Sequence, residues 1–115
     1  MPYEPTGIAP VHYLAHIREA CQEAIDFTDG MEFEDFTLDI KSQRAVMMDF
    51  IMIGEASTRI TKEYPEFIAS RTDIPWIQMR GMRNRVAHGY FDLNLSTIWK
   101  SIQVELPELL IALAK

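Results

Sequence analysis

The chain has 115 residues, 48% of them hydrophobic and 24% charged, which describes one ordinary globular domain. Eleven basic against seventeen acidic side chains leave a net charge of −6, which argues against a protein that coats nucleic acid with positive surface. Cys21 is the only cysteine, so an intrachain disulfide and a cysteine-based zinc site are both excluded.

The start, Met1-Pro2-Tyr3-Glu4-Pro5, has neither the basic residues nor the apolar core of a signal peptide. The densest apolar stretch, Ala45 to Gly54, contains Asp49 and is about half of the ~20 residues a membrane span needs. The expectation is a cytoplasmic protein without membrane association. It is a single domain over residues 1–115, with residues 1–9 as a flexible N-terminal arm.

The prolines at 2, 5, 10, 65, 75 and 107 divide the chain. No segment alternates at period two, and the apolar spacing is helical. A first helix starts near Pro10 and carries a stripe of Leu14, Ile17, Cys21 and Ala24, with Gly30 as its C-terminal cap. A loop with a short helical turn follows over Met31 to Phe36, and its acids read as solvated. Thr37 is the expected cap of a second helix running to about Lys62. The middle of that helix is apolar nearly all round, which calls for burial on most sides and suggests that a second chain helps to cover it. Gly54 stands mid-helix, where glycine costs roughly 1 kcal/mol against alanine; its expected use is close helix–helix approach. Thr72 or Asp73 should cap a third helix from Pro75 to about His88, ending at Gly89. A loop through Asp92 and Asn94 leads to a last helix from about Leu95 to Ala114, kinked or split at Pro107. The fold class predicted is all-α, an up-and-down bundle of four main helices plus short helical turns.

Charge is unevenly distributed. Residues 1–70 hold five basic and thirteen acidic side chains, net −8. Residues 71–100 hold five basic and two acidic ones, net +3. Arg80, Arg83 and Arg85 all lie on the third helix. They read either as a solvated face salt-bridged to acidic helices or as a phosphate-binding surface.

The run Met82-Arg83-Asn84-Arg85-Val86-Ala87-His88-Gly89-Tyr90 carries most chemistry. Asn84 and His88 are four apart and share a helix face. His88 falls in a last helical turn, where the helix dipole favours imidazolium and places its titration near neutral pH. An arginine that binds phosphate beside a titrating histidine suits phosphodiester chemistry, although a lone histidine at a helix end is more often a cap. His12 and His16 have metal-like i, i+4 spacing but no third ligand, and read as a polar face. No metal or cofactor is expected.

Arg83-Asn84-Arg85-Val86-Ala87-His88-Gly89-Tyr90 resembles the R-x4-H-x-Y motif of HepT-like proteins, a branch of the HEPN superfamily. Ile53-Gly54-Glu55-Ala56 is similar to the family's IGEA segment. Ile74-Pro75-Trp76 with Gly81-Met82-Arg83-Asn84, and Trp99 with Leu106-Pro107-Glu108-Leu109, resemble its other signatures. The resemblance covers most of residues 11–113. It implies a helical homodimer acting as the toxin of a toxin–antitoxin pair, opposite an MntA-like nucleotidyltransferase antitoxin. It implies a metal-independent ribonuclease with RNA as substrate, Arg83 and His88 as the catalytic pair and Asn84 as polar support. Tyr90 becomes the hydroxyl that the antitoxin adenylates; without the family it would read as a rim residue packing on Phe91 and Trp99. The alternative is a non-catalytic accessory dimer that binds nucleotide or a nucleotidyltransferase.

Overall fold

A computed structural model describes residues 7–87 and 94–115. Among them every regular element is helical. Helix α1 (Pro10–Phe27) starts on its proline, whose missing N–H would be unpaired in a first turn anyway. Its buried residues, Tyr13, Leu14, Ile17, Ala20, Cys21 and Ala24, recur at helical spacing and form one side of the core. The helix stops at Thr28, whose hydroxyl donates to the carbonyls of Ala24 at 3.0 Å and Ile25 at 3.2 Å. Gly30 then takes φ +79°, so the glycine turns the chain two residues beyond the cap instead of forming it.

The acids of the next segment are exposed or partly so, as expected, but they lie on helix ends and three of them act as caps. In α2 (Phe33–Leu38), Glu32 and Asp35 close a capping box, with the Glu32 N–H donating to Asp35 Oδ2 at 2.9 Å. Helix α3 (Ile40–Glu63) is capped by Asp39, which accepts from the Ser42 N–H at 3.0 Å and the Ser42 hydroxyl at 2.9 Å. Those two bonds hold the Asp39 carboxyl below its ordinary pKa. Thr37, the expected cap, lies inside α2 and donates to the Glu34 carbonyl. A carboxylate accepts N–H bonds at a helix start more strongly than a hydroxyl, and α2 and α3 each start on one.

Pro65 ends α3 and opens a short helix, α4 (Pro65–Ser70). Helix α5 (Trp76–Ala87) begins beside Pro75. Asp73 is not its cap: both carboxylate oxygens go to the Arg71 side chain at 2.9 Å. The last rod comprises α6 (Leu95–Lys100), a π-helical turn over Ser101–Glu105, and α7 (Leu106–Leu113). Asn94 caps α6 by accepting from the Thr97 N–H at 3.2 Å. The kink expected at Pro107 takes the form of that π turn. Proline lacks an N–H and crowds the carbonyl four residues back, at Gln103; widening the turn before it relieves the crowding and keeps the rod continuous.

Four main helical rods result, with α3 central, packing chiefly against α1 and α5. Phe36, Phe50, Ile53, Ile60, Met79, Met82 and Leu106 lie fully or almost fully buried between them. The molecule measures 42 × 34 × 19 Å, so it is only about two helix diameters thick. A body this thin leaves one face of its central helix uncovered: Met48 is 57% and Met52 43% exposed. No described helix is long and apolar enough to cross a membrane.

Candidate functional site

The site is set by how α5 lies on α3. Met79, Met82 and Val86 are buried at 3–4 spacing and turn one face of α5 into the core. Arg83 and Asn84 consequently stand on an exposed face. Gly54 decides how closely the helices meet. A Cβ at that position would lie 2.6 Å from Arg83 Cβ and 2.8 Å from the Arg83 backbone nitrogen. No side chain fits there, so the approach expected from the sequence exists, and its contact is Arg83.

The neighbouring residue reaches the same arginine by its side chain. Arg83 Nε forms an ion pair with Glu55 Oε1 at 2.8 Å. Both side chains are about half exposed, 51% for Arg83 and 43% for Glu55. Reading the sequence gave Glu55 no role beyond its place in the IGEA segment. Its only linear signal is adjacency to a glycine in the middle of a helix.

The three arginines of α5 do not form one patch. Arg85 Nη1 donates to the buried Ser101 hydroxyl at 2.7 Å and to Glu105 Oε2 at 3.0 Å. It ties α5 to the π turn and is a structural residue. Arg80 lines a shallow apolar groove with Ile68, Ile74, Trp76 and Ile77. Arg83 alone combines exposure with a fixed anchor on α3. His88 and Tyr90 fall outside the described residues. Trp99, considered as a packing partner for Tyr90, is flanked by Phe33 and Phe36 at ring-centre distances of 6.2 and 5.3 Å. His12 and His16 are exposed, and no metal-binding cluster occurs among the described residues.

The model of the family described as "Ribonuclease HepT-like" matches residues 17–115, a span containing both helices of this site and the whole run from Arg83 to Tyr90. The chain belongs to that family. It is 38% identical over 100 residues to "Putative RNase TTE0752" of Caldanaerobacter subterraneus subsp. tengcongensis, covering 87% of each protein. It is 36% identical to "Probable ribonuclease HepT" of Thermococcus cleftensis, covering 84% of this chain and 86% of that one. It is also 36% identical to "Putative RNase MJ0127" of Methanocaldococcus jannaschii, covering 83% and 76%. No solved structure matches the chain.

A second acid on α3 of this HepT-like chain has a different environment. Asp49 is 1% exposed, and its Oδ2 has no hydrogen-bond partner. Burial pushes its carboxyl up to about 8, assisted by a hydrogen bond to Glu23 and repulsion from that carboxylate. The carboxyl is therefore largely protonated at neutral pH. Cys21 is buried as well, and burial together with the charge of Asp49 pushes its thiol up to about 12. It is a neutral core side chain and no nucleophile.

Proposed function

We propose that this HepT-like protein is a metal-independent endoribonuclease in which Arg83 and His88 act on an RNA phosphodiester. One observation carries the reading: of the three arginines on α5, the one that opens the R-x4-H-x-Y run is the one held at the surface and free of the core. RNA supplies its own nucleophile. His88 takes the proton of the 2′-hydroxyl, the 2′-oxygen attacks phosphorus, and the bond to the 5′-oxygen breaks. The products are a 2′,3′-cyclic phosphate and a 5′-hydroxyl. Arg83 neutralises the charge that accumulates on the phosphorane oxygens. The leaving oxygen requires a proton, and the His88 of a second copy can supply it across a two-fold cleft.

The dimer in this reading is supported by the uncovered stripe of α3. Met48, Met52 and Glu55 follow one another at 4 and 3 residues, so an exposed apolar strip runs directly into the Arg83–Glu55 pair. We read the protein as the toxin of a toxin–antitoxin pair. Transfer of adenylate to the Tyr90 hydroxyl by a nucleotidyltransferase partner would put phosphate charge two residues from His88 and compete with RNA for the same cations.

Cleavage of a defined RNA oligonucleotide tests the reading. His88→Ala should abolish cleavage, and wild-type products should end in cyclic phosphate. Cleavage that survives His88→Ala, or products ending in a 3′-hydroxyl, would refute it. Incubation with the partner and ATP should add adenylate mass to the wild type and none to Tyr90→Phe. A non-catalytic accessory dimer would instead retain its binding function in His88→Ala.

A further inference from the structure

We propose that Glu55 is a positioning residue for Arg83, and that Gly54 and Glu55 together form a platform aiming this guanidinium at the scissile phosphate. The proposal rests on the ribonuclease reading above and names a residue to which that reading gave no part.

Two independent observations converge on Arg83. At Gly54, the missing side chain lets the α3 backbone lie against the backbone nitrogen and Cβ of Arg83. One residue on, Glu55 Oε1 forms an ion pair with Arg83 Nε at 2.8 Å. Consecutive helical residues point about 100° apart, so one can fix the arginine's main chain while the other reaches its side chain. A glycine inside a helix costs roughly 1 kcal/mol against alanine, and the tight seat under Arg83 is what it provides in return.

The ion pair makes little sense as a stabilising device. Exposed pairs contribute about 0–1 kcal/mol, and both partners here are about half exposed. Nor does it serve affinity for RNA, since a carboxylate beside a phosphate-binding arginine repels phosphate. Its geometry serves orientation. Guanidinium has five N–H donors, and a carboxylate paired on the Nε side leaves the four on Nη1 and Nη2 for a fork-shaped contact with two phosphoryl oxygens. An arginine held this way loses less freedom when the phosphorane forms, so the benefit falls on the chemical step.

The test is steady-state cleavage of a defined RNA oligonucleotide by full-length wild type, Glu55→Ala, Glu55→Gln and Arg83→Ala, each checked by thermal melting. Glu55→Ala should lower kcat about tenfold with KM unchanged or lower, because orientation is lost while a repelling charge is removed. Glu55→Gln, whose amide oxygen can still accept from Nε, should recover kcat to within about threefold of wild type. Melting temperatures of both should stay near wild type. A Glu55→Ala enzyme with wild-type or higher kcat would overturn the proposal, as would a Glu55→Gln enzyme as slow as Glu55→Ala. The control separates the two levels. If Arg83→Ala is inactive and Glu55→Ala fully active, only the positioning role fails; if Arg83→Ala cleaves normally, the catalytic reading fails first.

Discussion

Arg83 and Arg85 stand two residues apart on one helix and each pairs with a glutamate, but the two pairs differ in kind. Arg85 is 28% exposed, donates twice from one nitrogen, and joins the buried Ser101 and Glu105 of the π turn. Arg83 is 51% exposed and meets Glu55 through Nε. Two residues along a helix is a rotation of about 200°, which is enough to send one arginine inward along the helix seam and leave the other facing solvent. An arginine that spends both hydrogens of Nη1 on the neighbouring rod holds structure. One anchored at Nε and otherwise open can meet a ligand. The acids of α3 show the same contrast: Asp49 is buried and largely neutral, whereas Glu55 is exposed and paired.

The largest expected effect concerns Asp49. Its folded-state pKa, about 8, is above the unfolded value near 4, so the native state holds a proton that the unfolded chain has released. The stability contributed by this group should be full below about pH 4 and fall as pH rises toward about 8, with a slope of at most about 1.4 kcal/mol per pH unit. Asp49→Asn, neutral at every pH, should flatten that decline. Denaturant unfolding at pH 5, 6.5 and 8 measures it; parallel curves for the two proteins would show that Asp49 does not titrate as described.

The next effect tests the arginines themselves. Arg85→Ala should destabilise the fold by about 1–3 kcal/mol, since it removes two hydrogen bonds of a charged donor and leaves Glu105 half-buried without its cation. For a domain of this size that lowers Tm by about 4–8 °C per kcal/mol. Arg83→Ala should cost less than about 1 kcal/mol, because its pair is exposed. Equal losses in the two variants would erase the distinction drawn here.

Much of this fold is legible along the sequence because it depends on local spacing. Helical periodicity identifies α1, α3, α5 and the final rod, and a glycine at position 54 announces a close approach. What joins residues distant in sequence is not legible. Arg83 and Glu55 are 28 positions apart, and only the packing of α5 on α3 brings them together. The basic segment reads either as a salt-bridged face or as a phosphate-binding surface, and only contacts 16 and 20 positions away, to Ser101 and Glu105, assign Arg85 to the first. The sequence shows Asp49 inside an apolar run, but not that burial and Glu23 keep it largely uncharged there. The solvation of the acids before α3 is legible, but their capping is not, because cap geometry depends on where each helix starts, here at Asp39 and not Thr37.

The most direct test of the central claim, that Arg83 is the arginine of the site and Arg85 an arginine of the scaffold, is RNA cleavage by Arg83→Ala at a temperature where it is fully folded. Arg83→Ala should lose about a hundredfold or more in kcat/KM with Tm little changed. Wild-type cleavage by Arg83→Ala would contradict it.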